Sequence, residues 1–170
     1  MEEGKLSRSA MIAITCLRVV VGWHFLYEGI AKLTSTSWSA AGYIRVSRGP
    51  FAAFFHWIAG QPQLLDKANL ITAYGLTIIG VLLVLGLFTR VAACGGIALV
   101  LLFYLCNPPF VGYFYSIPSE GSYLIVNKNL VEVFALVVIL LTRSGLFAGL
   151  DRIVRGLVFR RAHPARIAAA

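Results

Sequence analysis

One apolar run, LRVVVGWHFLYEGIAKL at residues 17–33, carries four ionisable side chains: Arg18, His24, Glu28 and Lys32. Their spacing decides what they can do together. At 100° per residue, Arg18, Gly22, Phe25, Gly29 and Lys32 fall within about 80° of helical arc. Glu28 lies about 40° to one side and His24 a further 40° round. Charge is costly at membrane depth, so such groups face a protein interior or a water-filled cavity and mark a site. A second polar set, Asn127-Lys128-Asn129 and Glu132, opens another apolar run. Glu28 and Glu132 brought into one low-dielectric pocket are suited to carrying or passing protons. His24 is a further hydrogen-bonding group, though a lone span histidine is more often a satisfied core residue than a ligand.

Plainer roles exist for the same residues. Glu28 and Lys32, at i and i+4 with the acid first, can neutralise each other. Lys32 and Lys128 can snorkel to headgroups. Arg18 lies about ten residues, or roughly 15 Å, from Glu28 and cannot pair with it along one helix. It needs an acceptor on another helix, a water-filled cavity or a ligand. Trp23, Trp38, Trp57 and the tyrosines suit an interfacial belt or stacking against a planar ring.

The elements that must position these groups are membrane helices. Of 170 residues, 59% are apolar, and the mean hydropathy is +0.82, far from ordinary soluble composition. We read an all-α integral membrane four-helix bundle in a single domain, with spans over residues 9–33, 69–88, 91–106 and 128–146. The first span is not read as a cleaved signal peptide, because its apolar core is long and interrupted by charge. Residues 34–67 form a long outer connection whose apolar stretch at 50–60 is too short to cross, and predicts an interfacial or re-entrant helix. Gly22 and Gly29 let another helix approach the charged side of the first span closely. Asn107-Pro108-Pro109 ends the third span, and a second aromatic loop follows it. Cys16, Cys94 and Cys106 have no CxxC spacing and read as buried, unreactive thiols.

Charge sets the expected topology. With both termini inside, nine Lys and Arg lie on the cytoplasmic side and five on the other, the arrangement that positive charge favours. The basic tail, residues 151–170, then sits against anionic cytoplasmic lipid rather than nucleic acid. In this orientation His24, Glu28 and Lys32 share the outer half with Lys128, Asn129 and Glu132, and also with Asn69 and Tyr74 of the second span. A polar mouth beneath two aromatic loops results.

Leu17-Arg18, Gly22 through Gly29 and Lys32-Leu33 resemble the first-helix signature of the DoxX/DoxD-like membrane proteins. Gly86-Leu87-Phe88-Thr89-Arg90, the Asn127-to-Glu132 start of the last span and Gly149-Leu150-Asp151 are similar to that family too. Trp38 with Gly42-Tyr43 resembles the DoxD branch, the small subunit of thiosulfate:quinone oxidoreductase. The resemblance implies a four-helix membrane protein of a bacterial inner membrane, associated with quinone-linked oxidoreductases and working beside an electron-donating protein. On the reading of a quinone-interacting subunit, Glu28 and Glu132 relay protons with His24 as a donor to a quinone carbonyl, and Arg18 and Lys32 stabilise charge on the reduced quinone. Trp23, Trp38 and Tyr74 would pack against the ring, with Lys128 and Asn129 completing the quinone site. The cofactor expected is quinone; no cysteine pair, flavin fingerprint, haem pair or metal cluster is legible in the sequence. The partners expected are lipid, an extracytoplasmic electron donor and, as an open option, a second copy in a homo-oligomer. The alternatives are a non-catalytic membrane anchor and a small proton-coupled transporter. The latter lacks the paired broken helices or inverted repeat of transporters.

Overall fold

The computed structural model describes residues 6–115 and 124–162, with side chains to residue 157 in its last helix. Part of the second aromatic loop (116–123), Arg166 and the side chains of Arg160 and Arg161 therefore lie outside what is described. The described residues form helices and connections only.

The first span is α1 (Arg8–Thr34), opened by Ser7, whose hydroxyl accepts the Ala10 N–H at 3.1 Å. The second, α4 (Pro62–Leu85), begins seven residues before the expected residue 69. Pro62 sits in its first turn, where the missing N–H has no intrahelical partner to lose. The third, α5 (Thr89–Cys106), follows after the tight Gly86–Phe88 turn. These three are long and apolar enough to cross a membrane.

A fourth helix, α6 (Lys128–Thr142), is capped by Asn127, whose side chain accepts the Leu130 N–H at 3.1 Å. Its 15 residues reach about 22 Å, less than a hydrocarbon core of about 30 Å. It stops four residues short of the expected 146 because Arg143 takes a left-handed backbone, φ 51°. One further turn, α7 (Ser144–Phe147), follows, and then α8 (Asp151–Ala162). Helix α6 packs on α5 and α1, while α4 packs on α1 and α5, so the four long helices close on one another. Phe25, Leu83, Ala93, Val100, Leu136 and Ile139 form the centre of the core.

The face of α1 that turns inward carries Arg18, Val21, Gly22, Phe25 and Gly29, the stripe its spacing predicts. Helix α4 meets it at almost backbone contact. A Cβ on Gly22 would lie 2.8 Å from Leu83 Cβ, and one on Gly80 would lie 2.7 Å from Leu26 Cα. Only glycine permits that crossing.

The connection between α1 and α4 folds back over the bundle end. It holds α3 (Ala52–Gly60), where a short helix was expected, and also α2 (Ala41–Arg45), which has no sequence signal of comparable strength. Asn69 of α4 accepts the Ala40 N–H at 2.8 Å, and Asn107 Nδ2 donates to the Tyr43 carbonyl at 3.0 Å. Ala40, Ile44, Phe55 and Cys106 form a small second core beneath this layer.

Candidate functional site

An apolar cavity of about 710 Å³ opens between the bundle and the α2–α3 layer. The C-terminal half of α1, the N-terminal halves of α4 and α6 and the C-terminal half of α5 wall it. Its polar edge is assembled from two distant parts of the chain. His24, Glu28 and Lys32 come down one side of α1, and Lys128, Asn129 and Glu132 from the first turns of α6.

Two ionic contacts organise this edge. His24 Nε2 lies 3.0 Å from Glu132 Oε1 and ties α1 to α6. Lys32 Nζ donates to Glu28 Oε2 one turn earlier, and stands 5.6 Å above the Trp38 ring. Helical spacing explains the division of labour. Each of these α1 residues is one turn and about 40° from the next, so His24 ends about 80° round from Lys32 and reaches the neighbouring helix, while Glu28 stays within reach of Lys32. Lys128 acts electrostatically on both His24 and Glu28. With Lys67 of α4, four basic and two acidic groups thus border a cavity whose remaining walls are mostly aliphatic and aromatic.

Seven sequence-predicted site residues meet here: His24, Glu28, Lys32, Trp38, Lys128, Asn129 and Glu132. Three do not. Trp23 and Tyr74 are 63% and 52% exposed on the outer surface of the bundle, away from the cavity. Arg18 is 2% exposed and belongs to the opposite end of the molecule. Its Nη2 donates to the Ala148 carbonyl at 2.6 Å, and a Cβ on Gly86 would touch its guanidinium at 2.9 Å. The assignment of Arg18 to the ligand site is therefore corrected: its acceptor lies in the α7–α8 connection. Six residues, about 9 Å of helix, separate it from His24 and carry it out of the cavity's reach.

That opposite end is a second meeting point of sequence motifs. Asp151 Oδ1 accepts the Phe88 N–H at 2.7 Å and Oδ2 the Thr89 N–H at 3.1 Å, capping α5 with a carboxylate. Asp151 N–H in turn donates to the Gly86 carbonyl at 2.9 Å. With Arg18 bonded to the Ala148 carbonyl and packed on Gly86, the Gly86–Arg90 turn, Gly149-Leu150-Asp151 and Arg18 form one structural clasp.

Tyr43 lines the cavity and was not among the predicted site residues. Its hydroxyl donates to the Phe103 carbonyl at 2.9 Å, with the two rings edge to face. Burial pushes the phenol up to about 12, with Asn107 and Asn129 pulling partway back. The only sequence hint was its place beside Trp38 and Gly42. Its inward direction depends on α2 folding over the bundle, which no local pattern announces.

A family model described as DoxX matches residues 13–106. The chain belongs to the DoxX family. It matches no curated protein and no solved structure. The DoxX match runs from α1 to the end of α5 and so includes His24, Glu28, Lys32 and Trp38. Lys128, Asn129 and Glu132 lie beyond it, so half of this DoxX protein's polar edge comes from outside the matched segment.

Proposed function

We propose that this DoxX protein is a quinone-interacting membrane subunit of an oxidoreductase. In this reading it lies in a bacterial inner membrane with both termini cytoplasmic. It receives electrons at its loop end from an extracytoplasmic partner. The observation that carries the reading is the pairing of His24 with Glu132 and of Glu28 with Lys32 along the edge of an apolar cavity.

The residues present fit such a ligand. A volume of about 710 Å³ is within the roughly 300–1,000 Å³ of small-molecule sites, and a mostly apolar lining with a few convergent polar groups is their usual make-up. A quinone, when bound, supplies an acceptor for two electrons and two protons. The chain's part is to hold protons and charge. Glu132 orients the His24 imidazole, so that His24 presents an N–H to an oxygen at the polar edge. Glu28 and Lys32 form a second exchangeable pair one turn nearer the loops. Lys32 and Lys128 provide the positive field against which negative charge on a ligand oxygen is held. Phe25, Tyr43, Phe55 and Trp38 supply flat apolar surface and keep water from the inner wall.

Partner-dependent quinone reduction in native lipid tests this. Glu28→Gln and Glu132→Gln keep shape but cannot pass a proton, and each lowers the rate by about 10²-fold or more. Full activity in both variants, with the partner lost from the membrane only when the whole chain is deleted, assigns the protein to an anchoring role instead.

A further inference from the structure

The α2–α3 layer has two chemically different sides. Ile44 and Phe55 are buried against the apolar cavity, while their chain neighbours Arg45 and His56 line a separate cavity of about 650 Å³. Arg48 and Ser47 complete one wall, and Phe114 and Tyr115 the other. Among the described residues, no carboxylate lines it, and neither Arg45 nor Arg48 has an ion-pair partner. Two guanidinium groups and an imidazole therefore converge on one space with no counter-charge among the described residues.

The walls are held rather than loose. The buried Ser47 hydroxyl donates to the Cys106 carbonyl, and the Tyr115 hydroxyl to the Pro108 carbonyl at 2.7 Å. Both walls are thus pinned to the turn that ends α5. Gly49, at φ +101°, seats the chain after Arg48 against Pro108, where a Cβ would lie 3.1 Å from the proline ring. A residue with a side chain would strain that turn, so the position of Arg48 is set by the backbone.

Guanidinium forks match tetrahedral oxyanions, donating two parallel N–H bonds to neighbouring oxygens. An imidazole donates one more in either protonation state. The volume exceeds what a bare oxyanion fills and leaves room for its substituents, and Phe114, 80% exposed at the rim, offers them an apolar contact. We propose that Arg45, Arg48 and His56 form a phosphate-binding site, filled either by the phosphodiester headgroup of an anionic phospholipid or by free phosphate. This site is separate from the cavity that carries the proposed redox function and does not depend on it.

Two arms distinguish the sources. In the first, the full chain is extracted from bilayers of phosphatidylcholine containing phosphatidylglycerol, and retained lipid is counted by native mass spectrometry. Wild type keeps phosphatidylglycerol, and R45Q/R48Q lowers its retention about tenfold or more. In the second, delipidated protein is melted with and without inorganic phosphate. A rise of about 2–4 °C in wild type, absent in R45Q/R48Q, assigns the site to free phosphate when lipid is not retained. R45K/R48K keeps the charge without the fork and falls between the two, and R90Q, at the far end of the bundle, behaves as wild type. Because both arginines are exposed, the double variant's own melting temperature should stay near that of wild type. Equal lipid retention and equal phosphate response in wild type and R45Q/R48Q overturn the proposal.

Discussion

Arg18 and Glu28 stand on the same helix, yet one belongs to a structural clasp and the other to a cavity. The contrast has measurable consequences. Asp151 receives two backbone N–H groups and balances the buried Arg18. Asp151→Ala should therefore lower stability by about 2–4 kcal/mol in a detergent melt, since it strands both donors and a buried charge. Arg18→Met removes the charge and keeps the bulk. It should change stability by less than about 2 kcal/mol, because a desolvated guanidinium with unpartnered Nε and Nη1 is itself costly. A larger loss for Arg18→Met than for Asp151→Ala would contradict this ordering. Tyr43 gives a pH test. Its folded value of about 12 lies above the ordinary phenol value near 10. The stability it contributes is fully present below about pH 10 and is lost as pH climbs through about 12. Tyrosinate absorbance should show a late titration step that Tyr43→Phe removes; an unchanged profile would place Tyr43 in water.

At the scale of elements, the α1–α4 crossing is the most exacting contact. Gly80→Leu drives a side chain into the Leu26 backbone and should cost about 3 kcal/mol or more, or prevent folding. Gly22→Ala, which meets Leu83 Cβ and the Val84 backbone, should cost about 1–3 kcal/mol. Gly60→Ala, in open space at the end of α3, should be neutral or stabilising by up to about 1 kcal/mol. Equal melting temperatures for the three would mean that the helices cross elsewhere. Much of this level was legible: the inward stripe of α1 follows from 3.6-residue spacing, and its glycines from the need for close approach. What was not legible depended on backbone choices or on distant partners. Arg143 shortens α6 through a left-handed turn that arginine rarely adopts. Pro62 was read as part of a connection, although a proline suits a first turn equally well. Helix α2 owes its place to Asn69 and Asn107, hydrogen-bonding partners about 30 and 60 residues away.

Across the whole molecule, the two ends have different chemistry. One end is closed by Asp151, Gly86 and Arg18, and the other opens into an apolar cavity under a layer whose far side is cationic. Seven of the ten residues singled out from sequence meet in that cavity. The alternating direction of the helices was enough to gather the ends of α1 and α6. They were not enough to place Arg18, Trp23 and Tyr74, because the rotation of each helix is set by packing that sequence spacing alone does not resolve. The most direct test of the proposed redox role is to extract the purified protein, in its native lipid, with organic solvent and to quantify quinone by mass spectrometry. Roughly one quinone per chain is expected in wild type and in Arg18→Met, with loss of about tenfold or more in Glu28→Gln and Glu132→Gln. No bound quinone in wild type, or undiminished quinone in both carboxylate variants, would contradict the cavity's assignment.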